Sequence, residues 1–214
     1  MKYVLNIDWL QIHCEGVINR ACNYNFEKKE YSTQVFECIE EVSLNHKFIA
    51  TICSVPRSKI LSYNMVIVKL SNEVLYNPNL YHIVNSLVSD LSLSYIGLTR
   101  LDVCADFNYF TNGLYPETLI KKFMSNQIRK LGQTKGSCHF NQKTELIFDT
   151  LRFGTGNSMV SAYLYNKTKE LNEVKMKPYI VDCWRASGLD VDRTVWRLEF
   201  TIKGNQTLGG FGIG

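Results

Sequence analysis

Hydrophobic and polar residues alternate along many short segments of this 214-residue chain. Alternation with a period of two is typical of β-strands that bury one face. Glycine, proline, asparagine and serine separate most of these segments, as expected for turns. The pattern predicts strands at about 2–9, 33–39, 47–54, 63–70, 98–107, 137–141, 145–153, 159–167 and 194–203.

Apolar residues at helical spacing predict two longer helices and one shorter one. The first covers residues 77–91, with Pro78 near its start, and the second covers residues 115–132 and stops at Gly132. A shorter helix begins at Pro178 and ends before Gly188. Few helices among many strands predict an α+β fold with a mainly antiparallel, curved sheet. The order strand, helix, strand over residues 63–107 predicts one βαβ crossover.

Composition limits the class of protein. With 45% hydrophobic residues the chain can bury a large core, which excludes wholesale disorder. We expect one domain over residues 1–204, or two pseudo-repeated halves, 1–110 and 111–204, before a glycine-rich tail or truncation point at 205–214. Apolar runs are too short for a membrane-spanning helix, and Asp8 interrupts any signal peptide. Seven cysteines without Cys-x-x-Cys spacing indicate reduced thiols and a cytoplasmic protein.

The net charge of +4 is unevenly distributed. Residues 1–120 hold 9 Lys+Arg and 12 Asp+Glu, whereas residues 121–214 hold 15 and 8. The C-terminal part therefore carries the excess of positive charge that a polyanionic partner such as DNA requires. An unevenly charged solvated surface would give the same count.

Three predicted strands each carry a face of polar residues. In LTRLDVCADF, residues Arg100, Asp102 and Asp106 share one face with Cys104, and in VWRLEFTIK the residues Arg197, Glu199 and Lys203 share one face with Thr201. In SAYLYNK the shared face carries the following residues: Ser161, Tyr163, Tyr165 and Lys167.

If these strands are neighbours, three carboxylates lie on one surface. Clustered carboxylates repel each other, so they need arginines or a divalent cation beside them. Oxygen ligands favour Mg²⁺ or Mn²⁺, and such a cation beside tyrosine and lysine suits attack on a phosphodiester. The alternative is ordinary: the acids pair with Arg100 and Arg197 on a solvated face, and the tyrosines are half-buried strand residues.

Other chemistry has little support in the sequence. The four histidines, His13, His46, His82 and His139, lack metal-ligand spacing, and zinc is disfavoured. The segment FGTGNS lacks the Gly-Lys-Ser/Thr ending of a phosphate loop, and we interpret it as a hairpin turn.

Four segments together resemble a known family. The family's opening strand is similar to NIDWLQIHCEG, and its Arg-x-Asp-x-x-x-Asp strand is similar to LTRLDVCADF. Its glycine turn and the Tyr-Asp/Asn-Lys strand that follows are similar to LRFGTGNSMVSAYLYNKTKEL. Its Arg-x-Glu strand is similar to VWRLEFTIKG. The chain thus resembles the replication initiation factor (Rep_trans-type) family of rolling-circle plasmids, phages and mobile-element relaxases. The resemblance spans residues 6–204.

The resemblance implies a metal-dependent enzyme that nicks origin DNA and forms a 5′-phosphotyrosine link. Tyr165 matches the nucleophile, although Tyr163 stands where many members have arginine and shares the same face. Lys167, which we also expect to be catalytic, and Arg197 match basic positions that would contact the scissile or flanking phosphates. The implied ligands of Mg²⁺ or Mn²⁺ are Asp102, Asp106 and Glu199.

The resemblance also implies partners. Single-stranded or extruded origin DNA is the main one, with a host helicase or polymerase and a homodimer as further expectations. A DNA-binding regulator or degenerate initiator without nicking activity is the main alternative, and an unrelated α+β protein is another. The residues expected to contact DNA are Arg100, Lys121, Lys122, Arg129, Lys130, Arg197 and Lys203.

Overall fold

A computed structural model describes residues 2–128, 136–142, 146–155 and 158–204. Ten strands and five helices occupy these ranges. The strands are β1 (Tyr3–Glu15), β2 (Asn25–Lys28), β3 (Phe36–Leu44), β4 (Lys47–Pro56), β5 (Met65–Leu70), β6 (Ser94–Phe107), β7 (Gly136–Gln142), β8 (Leu146–Phe153), β9 (Val160–Asn166) and β10 (Trp196–Lys203). The helices are α1 (Asn72–Leu75), α2 (Leu80–Asp90), α3 (Pro116–Met124), α4 (Lys167–Glu173) and α5 (Pro178–Ala186).

The predicted α+β class and the antiparallel pairing are confirmed. Every strand pair with an assigned register is antiparallel. All nine predicted strands are present, with β1 and β6 longer than predicted. The alternation did not predict the short strand β2 or the short helices α1 and α4, so the described residues hold five helices instead of two or three.

The chain divides into two compact units, which share the long strands β1 and β6. Of the described residues, the first unit contains those within 2–7 and 102–202, and the second contains 8–101 together with 203 and 204. The expectation of one domain over 1–204, or of two halves, is not tested by this division and stays a prediction. The expected tail at 205–214 lies outside the described residues.

In the second unit the strand order is β2-β3-β4-β5-β1-β6. Helices α1 and α2 connect β5 to β6, and these two strands flank β1, where the sequence predicts a crossover. Ile12, Val68 and Ile52 are cross-strand neighbours and are at most 2% exposed. One face of this sheet therefore forms the core of the unit, because burying such side chains is the main favourable term in folding.

In the first unit the strand order is β1-β6-β10-β9-β8-β7. One face of this sheet packs against α3 through an apolar cluster. The cluster consists of Phe107, Ile120, Leu151, Leu164 and Trp196. By strand alternation, the opposite face carries polar residues singled out in the sequence: Asp102, Asp106, Tyr163, Tyr165, Arg197 and Glu199.

The helix predicted over residues 115–132 is shorter in the structure. It ends at Met124, and Asn126 adopts a left-handed backbone with φ 59°. An asparagine tolerates that conformation better than most residues, and it turns the chain out of the helix. Lys121 and Lys122 are exposed on α3, whereas Arg129 and Lys130 lie outside the described residues.

The predicted turn at FGTGNS connects β8 to β9, which form an antiparallel pair. Gly154 opens this turn with φ 90°, a conformation that side chains disfavour. The register of the pair places Tyr165 opposite Thr150 and Tyr163 opposite Arg152. This register places Thr150 and Arg152 of β8 beside the two tyrosines.

Candidate active site in the first unit

Tyr165, Lys167 and Glu199 form one group, which we call the tyrosine site. The Tyr165 hydroxyl donates a hydrogen bond to Glu199 Oε2 at 3.0 Å. Lys167 Nζ lies 3.5 Å from the same hydroxyl oxygen. A phenol thus lies between a carboxylate that can accept its proton and an ammonium that favours its anion.

The register of β9 and β10 produces the contact between Tyr165 and Glu199. Tyr165 is opposite Arg197, and Tyr163 is opposite Glu199. Tyr165 and Glu199 are therefore diagonal neighbours on one face, within reach of long side chains. Both are partly exposed, so solvent or a substrate has access to the group.

Lys167 reaches the site because β9 ends one residue earlier. The Asn166 side chain accepts a hydrogen bond from the Lys169 N–H at 2.8 Å and caps α4. Lys167 is thus the first residue of a helix, where the sequence predicts the last residue of a strand. Its backbone N–H also donates to the Val195 carbonyl at 3.0 Å, which anchors the start of α4 beside β10.

The Lys167 side chain is only 1% exposed and forms an ion pair with Glu170 Oε2 at 2.7 Å. A buried ammonium needs such a partner, because charge is costly away from water. The sequence did not single out Glu170. The segment NKTKELNE, an asparagine cap followed by good helix formers, was the available signal for α4. Within such a helix, Glu170 is three residues after Lys167 and can pair with it.

Asp106 and Arg197 form a separate group on the same sheet face, which we call the buried pair. Arg197 Nε contacts Asp106 Oδ1 and Nη2 contacts Oδ2, both at 2.7 Å. Trp184 of α5 adds a third hydrogen bond, from Nε1 to Oδ2 at 2.7 Å. Asp106 and Arg197 have no exposed side-chain surface.

The buried pair changes the interpretation of the polar strand faces. Asp102 and Asp106 are 2% and 0% exposed, so this part of the face is interior rather than an open surface. The ordinary alternative, an acid that pairs with Arg197, is what the structure has for Asp106. Because Arg197 is buried and held in two hydrogen bonds, a contact between its guanidinium and DNA does not fit this structure.

The expected three-carboxylate metal site also does not fit. Asp106 is fully buried and accepts three hydrogen bonds from Arg197 and Trp184, and the described residues hold no group of three His, Cys, Asp or Glu side chains that could bind a metal ion. Glu199 fits better, because a carboxylate keeps lone pairs after it accepts one hydrogen bond. Mg²⁺ commonly uses one or two carboxylates together with substrate phosphates and water.

Arg152 is a residue of this face that the sequence did not single out. Its guanidinium carbon lies 4.6 Å from the centre of the Tyr163 ring. Its Nε is buried and has no hydrogen-bond partner. An arginine with a spare donor beside the tyrosines is suited to binding a phosphate. Alternation along LRF was the available signal, since β8 pairs with β9.

The remaining predicted residues lie elsewhere. Tyr163 is partly buried, with its ring beside the Arg152 guanidinium, and the register places it opposite Glu199. Arg100 belongs to the second unit, where its guanidinium lies over Trp9. Lys203 is partly exposed at the end of β10.

Of the described helices, none is long and apolar enough to span a membrane.

Comparisons with known proteins support the fold. No protein-family model matches the chain, and no curated protein is similar to it in sequence. Among solved structures, it is similar to a rolling circle replication initiator protein from Geobacillus stearothermophilus. The two share 18% sequence identity and a TM-score of 0.60, over 95% of this chain and 76% of the other. The chain therefore has the fold of a rolling-circle replication initiator, in agreement with the family that its four sequence segments resemble.

Proposed function

We propose that this protein initiates rolling-circle replication, or an analogous strand transfer, by nicking DNA with Tyr165. One observation carries the proposal: the Tyr165 hydroxyl lies 3.0 Å from Glu199 Oε2 and 3.5 Å from Lys167 Nζ. Activated nucleophiles in enzymes have this arrangement of a base and a neighbouring charge. The similarity in fold to an initiator protein agrees with it.

In the proposed reaction, Tyr165 Oη attacks the phosphorus of a DNA phosphodiester while its proton passes to the Glu199 carboxylate. The new bond joins Oη to phosphorus, and the bond between phosphorus and the 3′ oxygen breaks. The 3′ oxygen takes a proton from solvent and becomes a free 3′-OH. The 5′ end stays linked to Tyr165 as a phosphotyrosine ester, which a later 3′-OH can attack to rejoin the strand.

Two cationic residues assist this reaction in the proposal. Lys167 stabilises the phenolate as it forms, because its ammonium lies beside the oxygen and is shielded from water. Arg152 binds a non-bridging oxygen of the phosphate through its terminal guanidinium N–H groups, because the residue as a whole is only partly buried. Exposed Lys121 and Lys122 contribute sequence-independent attraction to DNA.

Divalent metal dependence stays part of the proposal, with Glu199 as the protein ligand. When bound, Mg²⁺ or Mn²⁺ would neutralise charge on the phosphate in the transition state. DNA is the proposed partner. A homodimer, a host helicase or polymerase, and a cytoplasmic location stay predictions.

The test is covalent capture of DNA. A supercoiled plasmid carrying the DNA that flanks the gene is incubated with protein and Mn²⁺, and nicked, protein-linked DNA is resolved on a denaturing gel. We expect wild type and Tyr163→Phe to form the adduct and Tyr165→Phe to form none. Mass spectrometry of the digested adduct then identifies the modified tyrosine.

The outcomes separate the candidate functions. An adduct that persists in Tyr165→Phe and disappears in Tyr163→Phe would move the nucleophile to Tyr163. Specific binding of the plasmid without any adduct would favour the non-catalytic DNA-binding regulator.

A further inference from the structure

Two cations in the second unit contact one tryptophan ring. Lys69 Nζ lies 3.7 Å from the centre of the Trp9 ring, and the guanidinium carbon of Arg100 lies 4.2 Å from it. The three residues come from β5, β1 and β6, and we call them the cation–Trp9 cluster. Lys69 is opposite Gln11 in the register, so it shares a sheet face with Trp9, two residues away.

Keeping two cations on one ring costs free energy if these contacts serve only to stabilise the fold. Lys69 is half-buried, and in the described part of the chain it has no ion pair and no hydrogen bond. Burial lowers the pKa of Lys69, and the nearby charge of Arg100 lowers it further. The aromatic ring attracts both cations but carries no negative charge. Two positive charges therefore lie close together, and among the described residues no carboxylate forms an ion pair with Lys69.

The face that carries this cluster is not buried like the opposite one. Trp9, Gln11 and Lys69 are all partly exposed, whereas Ile12 and Val68, on the other face of the same strands, are at most 2% exposed. A ligand can therefore approach the two cations from solvent. The indole Nε1 of Trp9 is buried and has no hydrogen-bond partner, so ring and cations are held by packing and cation–π contacts.

We propose that Lys69 and Arg100, held together on Trp9, bind a phosphate group of single-stranded DNA. This inference rests on the proposed function for its choice of DNA as ligand. A phosphate supplies the negative charge that Lys69 lacks, and the planar guanidinium can donate two hydrogen bonds to it. A strand bound there also changes the surroundings of the Trp9 ring, because both cations lie over it.

The test measures binding of a fluorescent oligo-dT strand by anisotropy, with the full chain and at several salt concentrations. We expect Lys69→Gln and Arg100→Gln each to weaken binding about tenfold and to reduce the salt slope by about one charge. Lys59→Gln is the matched control, because Lys59 is exposed in a loop of the same unit. It should change the affinity less than about twofold.

Tryptophan fluorescence gives a second readout. Trp184 and Trp196 are 3% and 1% exposed, which leaves Trp9 as the accessible tryptophan. Oligo-dT should quench the emission, and Trp9→Phe should abolish the quenching. Inorganic phosphate should compete only weakly, because a strand carries several linked phosphates and a single ion does not. If inorganic phosphate competes as well as unlabelled oligo-dT at the same total phosphate concentration, the choice of DNA as the ligand is wrong.

Thermal unfolding of each variant checks the fold. Lys69→Gln should unfold at or above the temperature of the wild type, because it removes a partly desolvated charge without an ion pair. Unchanged oligo-dT affinity in folded Lys69→Gln and Arg100→Gln would overturn the inference.

Tyr165→Phe separates the two proposals. It should bind oligo-dT normally even though it forms no adduct, so failure of the nicking proposal leaves the phosphate site testable.

Discussion

Two carboxylates on one sheet face have opposite surroundings. Asp106 is fully buried, and Arg197 and Trp184 occupy both its oxygens. Glu199 is partly exposed, and the tyrosine site gives it a phenol as partner. Each residue ends a short charged motif: Glu199 lies two positions after Arg197 in Arg-x-Glu, and Asp106 lies four positions after Asp102 in Asp-x-x-x-Asp. The comparison teaches that an acidic motif identifies a chemical group, whereas burial decides whether it stabilises the fold or remains available for chemistry.

The largest expected effect is the loss of stability on breaking the buried pair. Asp106→Asn should lower the free energy of unfolding by about 3–5 kcal/mol, because the buried Arg197 guanidinium loses the carboxylate that accepts two of its hydrogen bonds. Urea unfolding measures the change. The double variant Asp106→Asn/Arg197→Met should recover most of the loss, since the asparagine oxygen still accepts from Trp184 and the buried guanidinium is removed together with its partner.

The double variant also tests the comparison directly. If Asp106 is structural, the folded double variant should still form the DNA adduct. A double variant with wild-type stability and no adduct would instead restore Asp106 to the catalytic machinery as a metal ligand.

Glu199→Gln should have the reverse effect. Adduct formation should fall about 10²–10⁴-fold, because the glutamine cannot accept the Tyr165 proton. The free energy of unfolding should change by less than about 1 kcal/mol, because the position is partly exposed and the amide still accepts the hydrogen bond. Single-turnover adduct formation and urea unfolding give the two numbers. Glu173→Gln, at an exposed position of α4, is the control and should change neither.

Metal removal should affect chemistry and not folding. Chelation of divalent cations should stop adduct formation and leave the unfolding midpoint unchanged, because the interior of the first unit is held by the apolar cluster and the buried pair. Re-addition of Mn²⁺ should restore the adduct in wild type and in Asp106→Asn/Arg197→Met. Adduct formation at an undiminished rate under chelation would show that Tyr165 needs only Glu199 and Lys167.

Lys167→Met should slow adduct formation about tenfold, since the phenolate loses its neighbouring cation while the aliphatic stem stays packed. Lys169→Met is the neighbouring control. Lys169 pairs with Asp149 at 2.6 Å, away from the Tyr165 hydroxyl. Equal rates for the two variants in single-turnover assays would remove Lys167 from the tyrosine site.

The smallest effect concerns stability at Lys169 itself. Its hydrogen bond to Asp149 raises the pKa of Lys169, so the pair stabilises the fold at neutral pH. This contribution is lost as the pH rises through that raised pKa. Lys169→Met should cost at most about 1 kcal/mol at pH 7, because the pair is partly exposed. Urea unfolding at neutral and strongly alkaline pH should show the cost shrink.

The predicted strands and the short helix at Pro178 are correct because local patterns determine them. The end of β9 was wrong by one residue, since the capping hydrogen bond of Asn166 favours a helix where alternation continues the strand. The C-terminal part of the second long helix was wrong because Asn126 turns the chain at a point where the apolar spacing still fits a helix.

The sequence by itself determined which residues share a face: Tyr165 with Tyr163, and Arg197 with Glu199. This follows from the period of two in a strand, which is a local property of the backbone. Only the tertiary structure decided which strands are neighbours, at what register, and which part of a face a helix covers. These depend on contacts between distant residues, such as Trp184 with Asp106 and Tyr165 with Glu199. They separate the carboxylate that stabilises the interior from the one beside the tyrosine.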